Sequence, residues 1–185
     1  MKRTKLSGRY AAALHGFSIE QHQEEEVYQD IQLLSTVFKE NRELRVIIES
    51  PIISADKKVA IFDAIFKGKI TDITLGFLRL IISKRREPAL MDIYENFIKC
   101  YYQTHQIKVA TITTATEMND ALLAKIKGLL EEQTKSTIIL NQAVNPKIIG
   151  GIIIHIDDYL FDGSIIGKIN KLRAEFSHNV YETQF

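Results

Sequence analysis

Two glycines that follow a lysine are the residues whose spacing comes nearest to a known chemical motif. Lys147 precedes the pair Gly150-Gly151, and glycine-rich loops beside a lysine can hold phosphate groups. A P-loop needs the pattern Gly-x4-Gly-Lys-Ser/Thr between a strand and a helix, and this chain lacks it. Because an apolar run typical of a β-strand follows the two glycines, we interpret them as a bulge or a close approach of two backbones.

The acidic residues and histidines form no pattern typical of a catalytic or metal-binding site. The consecutive glutamates 24–26 diverge around a helix and suit its first turn, where acidic side chains favour the helix dipole. The histidines show no His-x3-His pair and no neighbouring cysteine that would indicate zinc. We expect His155 to be packed in an apolar strand, and Asp157-Asp158 to form a turn between two strands. The sequence therefore predicts no catalytic residue, no metal ligand and no cofactor.

Composition excludes several further classes of protein. The 185 residues carry a net charge of +1, which gives no global attraction to nucleic acid, and the basic cluster at residues 84–86 lacks interleaved aromatic residues. The single Cys100 excludes an internal disulfide, and its apolar neighbours favour a buried structural thiol over a reactive one. Neither a secretory signal nor an apolar run of about 20 residues is recognisable. We therefore expect a chain that stays in the compartment where it is made.

The first half of the chain has a helical repeat of apolar residues throughout. The spacing predicts six amphipathic helices with short connections, which is typical of a compact antiparallel bundle. In the first helix, Tyr10 and Phe17 are expected on the inner face. Ser18 with Gln21 is interpreted as a capping box that begins the second helix, and Ser54 as the cap of the fourth.

From Ile107 onward the repeat alternates between that of strands and that of helices. A strand is predicted at Ile107–Thr114, a helix at 119–134 and a second strand at Thr137–Val144. The β-branched run Ile152–Ile156 indicates a well-buried strand, and Ser164 is placed to cap a last helix.

Together these patterns predict an α+β protein of two domains. We expect an all-α six-helix bundle at residues 1–105, followed by a small α/β domain at residues 106–185, with a hinge near 103–106. An α+β module of about 75 residues is marginally stable alone, so the second domain is expected to lean on a partner or a neighbour.

The helix predicted after Thr71 carries apolar residues on too many faces. They fall on two nearly opposite sides, with Ile73, Phe77, Leu80 and Ile81 on one and Leu75, Leu78 and Ile82 on the other. Such a helix either lies at the centre of the bundle or keeps one face for a partner. Small residues at 11–13 in the first helix and at Gly76 would let another helix approach closely. A groove between these two helices would suit an amphipathic helix, a common mode of recognition.

Four segments carry a resemblance to a known family. They are RYAAAL at residues 9–14, GFLRLI at 76–81 with the basic cluster after it, VNPKIIGGIII at 144–154 and DGSIIGKI at 162–169. Together they resemble the delta subunit of F-type ATP synthases, called the oligomycin-sensitivity-conferring protein in mitochondria. The resemblance extends over essentially the whole chain. It departs from the family at Asn145, where Asp is usual, and at Ile166, where Arg is frequent.

That resemblance implies a stator, or peripheral stalk, subunit of a proton-translocating ATP synthase, which is not itself a catalyst. It implies that helices one and five bind the N-terminal helix of an alpha subunit of the catalytic head. The residues carried over by position are Tyr10, Ala13, Leu14, Gly76, Phe77 and Leu80. The second domain is expected to bind b-type peripheral stalk subunits, and its family motif comprises Pro146, Gly150, Gly151, Asp162, Gly163 and Ser164.

Three further expectations depend on that resemblance. Tyr10, Phe77 and Leu80 are expected to anchor the head, so that Phe77→Asp releases it from a folded bundle if Phe77 is exposed. The chain is expected at the cytoplasmic face of the bacterial cell membrane, held there only through its complex. Apolar residues of the last helix, such as Ile165 and Leu172, serve either the domain core or the stalk. The alternative left open is an unrelated helical adaptor.

Overall fold

A computed structural model describes the backbone of residues 2–178 and the side chains of residues 5–176. The chain divides between Thr104 and His105 into two compact units. The first contains α1 (Lys2–Glu20), α2 (Glu24–Glu40), α3 (Arg42–Glu49), α4 (Ala55–Phe66), α5 (Asp72–Ser83), a 3-10 turn (Glu87–Ala89) and α6 (Leu90–Thr104). The second contains β1 (Ile107–Thr114), α7 (Asp120–Thr134), β2 (Thr137–Val144), a 3-10 turn (Pro146–Ile148), β3 (Ile152–Ile156), β4 (Tyr159–Asp162) and α8 (Ile165–His178).

The predicted combination of helices with a small sheet is confirmed. Within residues 2–178, no helix has both the length and the apolar character needed to cross a membrane.

Aromatic residues fill the core of the first unit. Phe38 of α2 stacks on Phe62 of α4 with ring centroids 6.0 Å apart, and meets Tyr94 of α6 edge-on at 5.9 Å. All three side chains are buried, together with apolar residues of α2, α5 and α6. Burying one large apolar side chain stabilises a fold by about 1.5–3 kcal/mol, so this cluster fixes the helices around it.

Helix α5 lies at the centre of the first unit and keeps only a narrow exposed strip. Its two apolar sides are both largely buried, as Ile81 on one side and Leu78 on the other illustrate. The exposed residues follow one side of the helix and are Asp72, Gly76, Arg79, Leu80 and Ser83. The excess of apolar residues therefore reflects a central helix, and only the strip remains available to a partner.

Polar contacts hold the start of α5 against α2. The Asp30 carboxylate accepts hydrogen bonds from the Thr71 backbone N–H at 2.8 Å and from its hydroxyl at 2.7 Å. The Thr71 hydroxyl in turn accepts from the backbone N–H of Thr74 and caps α5. Because Asp30 is itself buried, this arrangement fixes where α5 begins.

The prediction for the junction of α1 and α2 was wrong. Ser18 lies inside α1, where its hydroxyl donates to the carbonyl O of His15 at 2.8 Å and so satisfies a buried polar group without ending the helix. Helix α2 begins after Gln23, which makes no side-chain cap. Phe17 is 47% exposed, because the buried side of α1 follows Ala11 and Leu14. Ser54 stands at the N-cap of α4 but makes no side-chain cap hydrogen bond.

The second unit is built on a four-stranded sheet with the order β2-β1-β3-β4. Strands β1 and β2 are parallel, with Ile107 opposite Thr137, and α7 makes the crossover between them. Strand β3 pairs antiparallel with both β1 and β4. The β3–β4 hairpin turns at Asp157-Asp158, as predicted, and Asp157 has a φ of 50°.

Burial in the second unit is lower than the sequence predicts. None of the residues of β3 is fully buried, and His155 is exposed. Strand β3 lies beside β4, an edge strand whose Tyr159 is 79% exposed, whereas the buried residues Ala110 and Ile112 belong to the central strand β1. The prediction of a well-buried strand with a packed histidine was therefore wrong.

In the first unit, Cys100 is half-buried, so the expected burial of its thiol is only partial.

We expect Tyr94→Phe to stabilise the first unit by about 1 kcal/mol. The Tyr94 hydroxyl is buried and finds no hydrogen-bond partner among the described protein atoms, and burial raises its pKa well above the ordinary value. Chemical denaturation of both proteins measures the difference. Tyr101→Phe is the control, because the Tyr101 hydroxyl donates to Glu25 at 2.5 Å and its loss should lower the stability. A destabilised Tyr94→Phe variant would contradict this account.

Candidate functional site

An exposed surface lies where α1 and α5 meet. The Tyr10 ring of α1 contacts the Phe77 ring of α5 edge-on, with centroids 6.4 Å apart. Around this contact, Tyr10 is half-buried, while Ala13, Gly76 and Leu80 are exposed. We call these four residues, Tyr10, Ala13, Gly76 and Leu80, the α1/α5 surface.

Small side chains leave this surface open to close approach. A Cβ atom placed on Gly76 would meet no heavy atom within 4 Å, so the space above α5 is empty at that point. Ala13 presents only a methyl group on α1, and Leu80, which is 44% exposed, supplies apolar area one turn after Gly76. A partner helix could therefore lie close to both backbones and bury Leu80.

The charge beside this surface is basic. A depression of about 610 Å³ is lined by Lys5, Leu6, Arg9, Tyr10 and Ala13 of α1. Its apolar residues continue the α1/α5 surface, and its two cations lie towards the start of the helix. This composition suits an amphipathic helix that carries an acidic residue at one end.

An ion pair borders the other side of the exposed strip of α5. The Arg79 guanidinium of α5 donates to both carboxylate oxygens of Asp63 in α4, at 3.2 and 2.8 Å. Paired bonds of this kind fix a long side chain in one geometry. Arg79 therefore lies over α4 and leaves the space above Gly76 and Leu80 clear.

Two of the predicted head-binding residues are buried and cannot contact a partner directly. Leu14 is 3% exposed and Phe77 is 9% exposed. The Tyr10 ring contacts the Phe77 ring. Helical spacing does not reveal this contact between two helices, so spacing alone places Phe77 with the exposed residues of α5. The expectation that Phe77→Asp releases the head from a folded bundle required an exposed Phe77. Because Phe77 is buried, that requirement is not met. Both residues support the surface from below.

We accordingly expect Phe77→Asp to lower the free energy of unfolding of the first unit by about 3–5 kcal/mol, because it removes a buried ring and buries a charge. Chemical denaturation followed by circular dichroism measures the change. A variant as stable as the parent protein would show that Phe77 is exposed after all.

In the second unit, the glycine motif brings two turns into contact. Asn145 opens the first turn, where its side-chain oxygen accepts from the Lys147 backbone N–H at 3.1 Å. Pro146 then begins the 3-10 turn. The Gly150 carbonyl O accepts from the Ile165 N–H at 3.0 Å, which ties this turn to the first residue of α8.

Glycine is required at position 151 because the two backbones touch there. Gly151 has a φ of +80°, and a Cβ atom on it would overlap the carbonyl O of Gly163. On Gly163 a Cβ would lie 3.2 Å from the carbonyl O of Ile152, and on Gly150 it would lie 2.9 Å from the Ile165 side chain. The predicted close approach of two backbones at Gly150-Gly151 is confirmed.

The start of α8 is fixed by reciprocal polar contacts. The Asp162 carboxylate accepts from the Ser164 N–H at 2.8 Å, and the Ser164 hydroxyl oxygen accepts from the Gly167 N–H at 3.0 Å, which caps the helix as predicted. Hydrogen bonds from the Ser164 side chain and backbone hold the pKa of Asp162 below its ordinary value. A Cβ on Gly167 would lie 2.6 Å from the Asp162 carboxylate. Gly167 thus belongs to the motif, although the predicted residues omitted it.

The second half of α8 is not part of a core. From residue 170 to Phe176 every side chain is exposed. Leu172 is 52% and Phe176 75% exposed, Ile165 is 44% exposed, and Ile169 is half-buried. We call these four residues, Ile165, Ile169, Leu172 and Phe176, the α8 seam. The sequence left two roles open for the apolar residues of the last helix, a place in the domain core or a contact with the stalk. Only the first two turns of α8 can belong to the core.

Each unit thus presents one exposed apolar surface, the α1/α5 surface on the helical unit and the α8 seam on the α/β unit. Among the described residues, no three His, Cys, Asp or Glu side chains are grouped so that they could hold a metal ion. Exposed apolar side chains, such as Leu80 and Leu172, dominate both surfaces. Exposed apolar surfaces are typical of the class of proteins that bind other proteins.

Comparison with known proteins gives the family. Residues 6–176 match the model of the family described as ATP synthase delta (OSCP) subunit, and the chain belongs to that family. The ATP synthase subunit delta of Cytophaga hutchinsonii is 32% identical over 97% of this chain and 98% of its own length. That of Lachnoclostridium phytofermentans is 33% identical over 97% of each. As a member of this family, the chain is a stator subunit of ATP synthase and not its catalytic subunit.

A solved structure supports the fold independently. One chain in the Toxoplasma gondii mitochondrial ATP synthase hexamer matches with a TM-score of 0.75, covering 95% of this chain and 99% of that chain. The two sequences are 20% identical, so this likeness concerns the fold.

Proposed function

We propose that this chain links the catalytic head of a proton-translocating ATP synthase to its peripheral stalk and holds the head against the torque of the rotor. The observation that carries the proposal is the presence of an exposed apolar docking surface on each of two compact units. A tether needs two such surfaces on one chain, each with slow dissociation, because the load must pass from one partner to the other.

The first unit is the head-binding part. In this proposal α1 to α6 act as one six-helix bundle, residues 1–105, whose α1/α5 surface takes the N-terminal helix of an alpha subunit. Tyr10, Ala13, Gly76 and Leu80 contact that helix. The buried residues Leu14 and Phe77 hold α1 and α5 in place beneath it.

The second unit, residues 106–185, is the stalk-binding part and takes b-type stalk subunits. Its motif residues keep α8 at a fixed position on the sheet, because the turn at Gly150-Gly151 hydrogen-bonds to Ile165 and Ser164 caps the helix. Exposed apolar side chains are numerous in this unit, as expected for a small domain that leans on a partner. The chain then lies at the cytoplasmic face of the bacterial cell membrane, where its complex holds it.

Calorimetric titration of the protein with the N-terminal segment of the alpha subunit from the same organism tests the head-binding half. We expect saturable one-to-one binding with a negative heat-capacity change, because apolar surface is buried. Absence of binding by the folded protein would overturn this half and favour the alternative, an unrelated helical adaptor.

A further inference from the structure

Two cations on α1 have no ionic partner in the free protein. Lys5 and Arg9 are both exposed, and within residues 5–176 neither side chain forms an ion pair or a hydrogen bond. Arg79 of α5 is also exposed, but Asp63 holds it over α4. Lys5 and Arg9 therefore keep their charges available to a partner, and both line the depression beside the α1/α5 surface.

The order of side chains around α1 places these cations on one flank of the α1/α5 surface. At about 100° per residue, Ala13 lies about 60° around the helix axis from Tyr10. Arg9 and Lys5 lie about 100° and about 140° from Tyr10 in the same direction. Tyr10 turns towards α5, because its ring contacts Phe77. With increasing distance from α5, the surface of α1 thus changes from aromatic to small and then to basic.

A helix bound to the α1/α5 surface would meet these cations with only one of its flanks. Its apolar face covers Ala13 and Leu80, so the flank turned away from α5 lies beside Arg9 and Lys5. The two cations are four residues apart, about 6 Å along the axis, which is also the spacing of side chains one turn apart on a partner helix. Carboxylates on that flank would attract both cations, whereas lysine or arginine there would be repelled.

We propose that Arg9 and Lys5 determine which helix binds and in which direction, by pairing with acidic side chains on the flank of the alpha-subunit helix that turns away from α5. This inference rests on the proposed function, because it names the chemistry of the partner at the same surface. Apolar contacts alone discriminate poorly between a helix and its reverse. Reversal with the apolar face still down moves the carboxylates to the α5 side and to the other end, where they lose both cations.

Calorimetric titration of the full chain with the N-terminal segment of the alpha subunit from the same organism tests the pairing. Arg9→Glu is compared with Arg42→Glu, which changes the net charge equally at an exposed residue of α3 outside the surface. At about 20 mM salt, Arg9→Glu should weaken binding about ten-fold or more, and Arg42→Glu less than about two-fold. The difference should narrow at about 500 mM salt, where exposed charges are screened. Lys5→Glu should act in the same direction as Arg9→Glu, and circular dichroism checks that each variant is folded.

A charge exchange on the segment tests the contact itself. Each acidic residue of the segment is replaced by lysine in turn, and one of these changes should weaken binding to the parent protein but restore binding to Arg9→Glu. Equal effects of Arg9→Glu and Arg42→Glu would overturn the inference, and so would the absence of any restoring change. In both cases the parent protein still binds the segment, so the proposed function stands. A folded parent protein that does not bind the segment would overturn both.

Discussion

Leu80→Asp should weaken binding of the alpha-subunit segment at least about 100-fold, about 3 kcal/mol, while the first unit stays folded. Leu80 is 44% exposed in the free protein, so a carboxylate there remains solvated until a partner covers it. In the complex the charge would be covered by an apolar helix and would lose its hydration. Calorimetric titration gives the affinity, and circular dichroism gives the fold.

Leu33→Asp is the matched control for this variant. Leu33 is 42% exposed and lies on α2, outside the α1/α5 surface. It should bind the segment with unchanged affinity. Equal weakening by both variants would contradict the assignment of the surface, and so would unchanged binding by Leu80→Asp.

Gly151→Ala should lower the stability of the second unit by about 2–4 kcal/mol, the second large effect that we expect. The added methyl group would be held at a φ of +80° and would overlap the carbonyl O of Gly163. The turn before β3 and the start of α8 must then separate, which removes the support of the helix. Thermal unfolding of the full chain, followed by hydrogen exchange at β3 and α8, locates the loss.

Gly128→Ala provides the control for this substitution. Gly128 lies within α7, and a Cβ atom there would meet no heavy atom within 4 Å. Alanine in a helix is favoured over glycine by about 0.5–1 kcal/mol, so this variant should be slightly more stable. If Gly151→Ala behaved in the same way, the two turns would not be in contact.

Much of the fold could be predicted because local patterns and tertiary contacts agree. Strands β1 and β2 begin and end where the alternating residues predict, and α7 begins after Asn119, whose side chain caps it. At Gly150-Gly151 the sequence predicted a bulge or a close approach of two backbones, but it did not identify the turn at Gly163 as the partner. At these points one residue type or one repeat specifies a single structure.

Burial was harder to predict, because it depends on neighbours that a sequence repeat does not identify. Phe77 and Leu80 lie on the same apolar side of α5, yet Tyr10 covers only Phe77. The run of β-branched residues in β3 predicts a strand but not its place beside the exposed edge strand β4. Ser18 was assigned to a helix start because serine favours that position, whereas its hydroxyl is satisfied inside α1.

The central claim is that one chain holds both partners at once. Sedimentation velocity of the full chain, mixed with the alpha-subunit N-terminal segment and the soluble part of the b-type stalk subunit, tests this most directly. We predict one complex that contains all three components, from which Leu80→Asp releases only the alpha segment. Two separate complexes that never combine, or competition between the two partners for the chain, would contradict the account.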